Sequence, residues 1–189
     1  MDTHLPTRRN FSLRLAASIP ALRMAGISLA SAAAVSRAAY GEEVSHSAEA
    51  IHQEVRIKAA PQKVYEALTD ARQFDKIVEL SGVLKSGMLP KEDNKPTEIK
   101  NEEGGAFALF GGYITGRNIE LTPSTRIVQV WRAGGWPSGI YSIARFELVD
   151  RDSATLIVFD HTGFPNGDGE HLASGWNEHY WEPLRKLFA

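Results

Sequence analysis

Apolar and polar positions start to alternate at Ile51, and the period of the pattern changes twice before the chain ends. Ile51, Val55 and Ile57 fall on one parity, which predicts a half-buried strand. Pro61 suits the first turn of a helix, where its missing N–H is not needed. The apolar positions that follow recur at helical spacing as far as Val78, so we expect two short helices after the strand.

Beyond residue 79 short apolar runs are separated by glycine, proline and charged residues, a pattern typical of sequential antiparallel strands. Within one of these runs Ile114 falls on one parity and Ile119 on the other, so we expect a β-bulge at Gly116 to shift the register. Strands are predicted near residues 81–88, 96–101, 105–110, 112–122, 126–133, 139–150 and 154–163.

The last segment, SGWNEHYWEPLRKLFA from Ser174, predicts an amphipathic helix rich in aromatic residues. Trp176 and Tyr180 are one turn apart and share the face turned to the sheet, whereas Trp181 lies roughly 140° around an ideal helix from Trp176. We therefore expect Trp176 on a cavity wall and Trp181 in the core. Pro183 removes one helical hydrogen bond and predicts a kink near residues 179–183.

The order of these elements indicates an α+β fold, in which a curved antiparallel sheet wraps a long C-terminal helix and two short helices follow the first strand. Along the last strand Thr155, Ile157, Phe159 and His161 share a face, which we favour as the inward one. The predicted domain spans residues 51–189, preceded by a polar linker at 42–50 and an export signal at 1–41.

Residues 1–41 are basic and differ in composition from the rest of the chain. They carry five arginines and one acidic residue, which leaves 16 of the 21 basic and 22 of the 23 acidic residues for the remainder. Arg8 and Arg9, with Phe11 after them and small residues before Gly41, resemble a cleaved twin-arginine signal. An organellar transit peptide and a disordered tail are the alternatives. An export signal predicts a periplasmic or secreted protein that keeps no stable membrane anchor after cleavage.

Composition narrows the possible chemistry further. The acidic body argues against nucleic-acid binding, which relies on clustered Lys and Arg. The chain has no cysteine, which excludes disulfides, thiol catalysis and thiolate metal sites. His171 and His179 share a helical side only loosely and lack a third ligand at a fitting spacing, so we predict no metal site and no cofactor.

Several motifs resemble a known family. They are the G-x-I-x-G run at Gly112 to Gly116, Trp131-Arg132 followed by Trp136-Pro137, and GWNEHYWEPL near the end of the chain. Over residues 51–189 the chain is similar to the C-terminal domain of the activator of the ninety-kilodalton heat-shock-protein ATPase, within the START-like (SRPBCC, helix-grip) superfamily. The resemblance implies a cavity between the sheet and the last helix. Residues 1–50 do not resemble the chaperone-binding domain of that activator, so we do not expect a chaperone partner.

This cavity is therefore the expected functional site. We expect it to bind a hydrophobic or amphipathic small molecule or a lipid, without transforming it. The predicted lining is Phe107, Trp131, Phe146, Phe159, His161, Trp176 and Tyr180.

Two other functions stay open. One is a small enzyme of the cyclase or hydrolase kind that uses His161 with Tyr141 or Tyr180. The other is a protein-interaction module without a usable cavity. His161 is a catalytic candidate by its ordinary pKa, but a lone histidine at a strand end is more often a satisfied polar group. On that interpretation, replacing His161 with alanine should cost no more than about 1 to 2 kcal/mol.

Overall fold

The computed structural model describes residues 49–83 and 95–189. Those residues belong to the larger of two units of the chain, Val44–Ala189. The other unit, Met1–Glu43, lies outside the described residues, as do the predicted export signal and most of the predicted linker. Among the described residues no helix is both long and apolar enough to span a membrane.

The described residues form seven strands: β1 (Ala50–Ile57), β2 (Glu98–Ile99), β3 (Ala106–Leu109), β4 (Ile114–Thr122), β5 (Arg126–Ala133), β6 (Ser142–Arg151) and β7 (Ala154–Thr162). They pair antiparallel in one sheet of order β1-β7-β6-β5-β4-β3-β2, so the last strand lies beside the first. The helical segments are α1 (Pro61–Thr69), α2 (Ala71–Ser81), α3 (Gly169–Trp176), a π turn (Asn177–Trp181) and α4 (Glu182–Leu187). This architecture confirms the predicted α+β class.

The two short helices follow β1 as the sequence predicts. Pro61 occupies the first turn of α1, and the side chain of Asp70 caps α2 by accepting a hydrogen bond from the Gln73 backbone N–H at 3.0 Å. The strand predicted near 81–88 is wrong at its start, because Ser81 ends α2 and Gly82 takes the left-handed conformation of a helix C-cap. Residues 84–88 lie outside the described residues.

The register shift in β4 lies at Ile119 rather than at Gly116. Asn118 pairs with Gln129 and Glu120 with Val128, so Ile119 is the extra residue, and it turns outward with 47% of its surface exposed. Gly116 pairs regularly, and it is glycine for a different reason. A Cβ there would collide with the Phe107 ring and with a backbone carbonyl of β5.

The face of β7 that carries Thr155, Ile157, Phe159 and His161 is buried, which confirms the inward face predicted from its parity. The C-terminal helical segment packs on this face. Trp176 approaches Phe159 with ring centroids 4.4 Å apart.

A π turn occupies most of the stretch where Pro183 predicts a kink. The Glu182 N–H donates a hydrogen bond to the Asn177 carbonyl, five residues back. Pro183 follows, and it has no backbone N–H to donate. Because a π turn takes an extra residue, residues five apart return to the same side. The expected 140° separation of Trp181 from Trp176 is therefore wrong, and their rings stack at 5.7 Å and 20°. Trp181 is nevertheless a core residue, 1% exposed.

Candidate ligand-binding site

A cavity of about 460 Å³ lies beneath α3 and the π turn, at the end of the sheet where β4 begins and β5 ends. Its size falls within the usual range of small-molecule sites, roughly 300 to 1,000 Å³. Six aromatic residues contribute to its lining: Phe110, Tyr113, Trp131, Trp136, Trp176 and Tyr180.

The buried floor of the cavity is built by alternation along β5. Trp131 and Ala133 lie on the same face of that strand, and Trp131 approaches Trp176 of α3 with centroids 5.6 Å apart. Trp176 in turn packs on Tyr180 at 4.2 Å. Phe110 completes this group from the turn after β3, and it meets Tyr180 edge to face at 5.4 Å.

Phe110 has an unusual backbone. Its φ of 50° is in the left-handed region, which a bulky residue adopts only when its surroundings hold it there. Packing against Phe74 at 5.5 Å and against Tyr180 supplies that support. No periodicity in the sequence marks a turn residue of this kind as part of a cavity.

The loop that carries Trp136 is held in place by hydrogen bonds to the side chain of Arg132. The Arg132 guanidinium donates to the carbonyls of Trp136 and Pro137 at 2.6 Å each, and to that of Ile140 at 3.2 Å. The indole N–H of Trp136 donates to the Asp168 carboxylate at 2.9 Å. The W-R…W-P motif therefore builds one side of the cavity and joins it to the start of α3.

His161 forms the centre of a directed chain of hydrogen bonds. An indole N–H can only donate, so the 3.0 Å contact from Trp176 Nε1 makes Nδ1 of His161 an acceptor. The proton of the neutral ring then lies on Nε2, which donates to Ser142 Oγ at 2.7 Å. Ser142 Oγ donates in turn to the Trp131 carbonyl at 3.1 Å. The chain thus joins the two facing tryptophans of the cavity.

His161 is completely buried, and burial lowers the pKa of its imidazole to about 4. Both ring nitrogens are engaged, and the residue is not part of the cavity lining. In this arrangement His161 orients Trp176 and presents no free nitrogen to a bound molecule.

Three polar atoms of the lining residues are buried without a hydrogen-bond partner among the described residues: Trp131 Nε1, His179 Nδ1 and the Tyr180 hydroxyl. Burial raises the pKa of Tyr180, an effect that the nearby Trp131 indole N–H partly offsets, so the hydroxyl stays protonated at neutral pH. Burial lowers the pKa of His179, with Glu178 opposing the shift and His171 adding to it. Neither side chain carries a charge in neutral solution.

The predicted lining residues divide into two groups. Trp131, Trp176 and Tyr180 line the cavity. The other four lie in the packed interior. Phe146, Phe159 and His161 contact the rings of Trp176 or Trp181, and Phe107 packs over Gly116.

Several residues of the lining were not predicted from the sequence, notably Phe110, Trp136, Asp168 and Glu178. Trp136 could have been found from its motif, since the paired W-R and W-P segments lie at the end of β5. Among the described residues no group of three or more His, Asp or Glu side chains is arranged to hold a metal ion.

Comparison with known proteins identifies sequence relatives of this domain. The profile of the family described as "Activator of Hsp90 ATPase homolog 1-like protein" matches residues 58–189. A Dictyostelium discoideum protein described as "Activator of 90 kDa heat shock protein ATPase homolog" is 35% identical over 92 residues, which cover 48% of this chain and 24% of that protein. The corresponding "homolog 2" of Mus musculus is 27% identical over 100 residues, covering 53% and 30%. The chain thus spans less than a third of these relatives.

Solved structures resemble the fold. An HSP90 activator from Plasmodium falciparum superposes with a TM-score of 0.60 at 23% identity, covering 73% of this chain and 94% of that chain. CalU16 from Micromonospora echinospora gives 0.57 at 20% identity, covering 75% and 76%. At these identities the likeness shows a shared helix-grip fold and nothing about ligands.

Proposed function

The chain belongs to the activator of Hsp90 ATPase homolog 1-like family, and from that premise we propose that it binds a hydrophobic or amphipathic small molecule in the cavity beneath α3 and the π turn. Its fold is the START-like helix grip, which is consistent with a ligand-binding or a cyclase-like domain. The observation that carries the proposal is the cavity itself, about 460 Å³ with six aromatic side chains on its walls. A module that only contacts other proteins would have no need of that space.

Catalysis through His161 has less support than binding. Both nitrogens of its ring are engaged, its pKa is lowered to about 4, and it does not line the cavity. Tyr180 does line it, but burial raises the pKa of its hydroxyl, so the phenol stays protonated, is a weak acid and offers no phenolate to act as a base. The cyclase or hydrolase that would use these two residues therefore lacks an accessible acid–base pair.

Export belongs to the same proposal. Arg8 and Arg9 lie outside the described residues, and the argument for a twin-arginine signal rests on their sequence context. An exported domain would meet its ligand in the periplasm or outside the cell. Because the chain matches less than a third of the curated relatives, we do not extend to it the ATPase activation named in their descriptions.

Native mass spectrometry of the protein purified from its own host tests the proposal. We expect a fraction of the protein to carry an added mass that is lost on denaturation. Leu172 lines the cavity from α3, so Leu172→Trp should fill part of the space and abolish the added mass. Arg185→Trp, at an exposed position of α4, adds the same ring outside the cavity and should leave the added mass unchanged. If protein from the host carries no ligand and also fails to take up apolar dyes, the proposal is wrong.

A further inference from the structure

We infer that this cavity selects amphiphiles that carry an amine or quaternary ammonium group and rejects those that carry a carboxylate. The inference rests on the proposed function, since it names the class of ligand for the same site. Three features of the lining lead to it: aromatic faces, fixed carboxylates, and the absence of Lys and Arg among the described lining residues.

The aromatic surface comes from three separate parts of the chain. Phe110 and Tyr113 lie on the turn between β3 and β4, Trp131 and Trp136 on β5 and its loop, and Trp176 with Tyr180 on the helix. The face of an aromatic ring attracts a cation, and several rings around one space are the usual arrangement for an ammonium group. The same rings also bind the apolar body of an amphiphile.

Two carboxylates are held at the edge of this surface. Asp168 accepts the indole N–H of Trp136 at 2.9 Å, so its charge is fixed beside one of the lining rings. Glu178 lies one turn after Ser174 and accepts its hydroxyl at 2.8 Å. Both acids line the cavity, and Glu178 and Ser174 are exposed at its mouth. A cation entering there would gain from both charges.

No Lys or Arg belongs to the described lining, so a bound anion would meet no permanent positive charge there. The guanidinium of Arg132, which contacts the lining residue Trp136, is occupied by three backbone carbonyls of the Trp136 loop. Burial lowers the pKa of His179, so that ring is neutral at neutral pH, while His171 is exposed at the mouth. A bound carboxylate would be repelled by the like charges of Asp168 and Glu178, with no Lys or Arg in the described lining to offset them.

Three matched probes test the selectivity: para-butylphenyl-trimethylammonium, its tert-butyl isostere and para-butylbenzoate. The first two have nearly the same shape and differ in charge. Quenching of tryptophan fluorescence reports binding, because three of the chain's four tryptophans line the cavity. At about pH 8, above the ordinary range for histidine, we expect the ammonium probe to bind about tenfold more tightly than the benzoate, and more tightly than the isostere.

A charge-neutralising pair of variants assigns the effect to the site. Asp168→Asn with Glu178→Gln keeps a hydrogen-bond acceptor for Trp136 and for Ser174. This double variant should bind the ammonium probe about threefold to tenfold more weakly at low salt and should bind the isostere with unchanged affinity. Asp152→Asn with Glu182→Gln removes the same net charge from exposed positions outside the cavity and should leave the affinities for both probes unchanged.

The outcomes distinguish a failure of the charge selectivity from a failure of the proposed ligand-binding function. If the tert-butyl isostere binds most tightly and the Asp168/Glu178 variant leaves the ammonium probe unaffected, the charge selectivity is refuted and the apolar binding site stands. If none of the probes binds, the proposed function fails, and the selectivity fails with it. Equal weakening by both pairs of variants would also overturn the inference, because the effect would then come from net charge.

Discussion

Replacing His161 with leucine should break the hydrogen-bonded link between the terminal helix and the sheet. The leucine leaves Trp176 Nε1–H without an acceptor in a fully buried place, at a cost of about 1 to 3 kcal/mol. The bond from His161 to Ser142 is lost as well, for about another 1 kcal/mol. We therefore expect the free energy of unfolding to fall by about 2 to 4 kcal/mol in urea melts, more than a strand-end histidine alone would suggest.

A double-mutant cycle separates the hydrogen bond from the packing. Trp176→Phe removes the N–H, so it should cost less in the His161→Leu background than in the natural protein. The coupling should be about 1 to 3 kcal/mol. His171→Leu, at an exposed position, is the surface control and should stay within about 0.5 kcal/mol.

The pH dependence gives an independent measurement of the same residue. The pKa of His161 is about 4 in the folded protein against an ordinary 6.5, so the unfolded chain binds the proton more tightly. Stability from the neutral ring is fully present above about pH 6.5 and is lost as the pH falls towards 4, by up to about 3 kcal/mol. In the His161→Leu variant this part of the pH dependence of the unfolding free energy should vanish. Equal slopes in both proteins, together with zero coupling to Trp176, would refute the hydrogen-bond chain.

Three further predictions concern other parts of the chain. Gly116→Ala should lower the free energy of unfolding by about 1 to 3 kcal/mol or more, because its Cβ would meet an aromatic ring of β3 and the backbone of β5; an unchanged urea midpoint would contradict this. Trp181→Ala should lose about 3 to 5 kcal/mol with little effect on dye binding, whereas Trp176→Ala should weaken dye binding markedly; equal stability losses with unaltered dye titrations in both would show that the helix only fills a core. Replacing Arg8 and Arg9 with lysine should hold the precursor in the cytoplasm, as measured by fractionation and by N-terminal sequencing of the exported form, which is expected to begin between about residues 35 and 42.

The sequence was sufficient where structure depends on local periodicity. Parity along β7 predicted that Phe159 and His161 face inward, and helical spacing predicted that Trp176 and Tyr180 lie on one side. It was insufficient where contacts join distant segments. The role of His161 depends on Ser142 and Trp176, 19 and 15 residues away, and no local pattern relates these three positions.

Two of the errors, at Gly116 and at Trp181, have physical causes of the same kind. Gly116 resembled a bulge because glycine is common there, but the ring of Phe107 crosses it and leaves no room for a side chain. The rotation assigned to Trp181 assumed a uniform α-helix, and the π turn changed the period. In both cases a tertiary contact or a local change of helix type overrode a rule that holds for isolated elements.

The π turn also explains how an aromatic helix can fill a core and still leave a cavity. By adding a residue to the turn, it brings Trp181 back beneath Trp176, where the two rings stack and the interior is completed. Trp176 is then held through its indole N–H, which donates to Nδ1 of His161, and Tyr180 is held by contact with Phe110 and Phe74. Since rings supported in this way cannot collapse into the adjoining space without losing a buried hydrogen bond or a ring contact, the cavity persists as a feature of the folded domain.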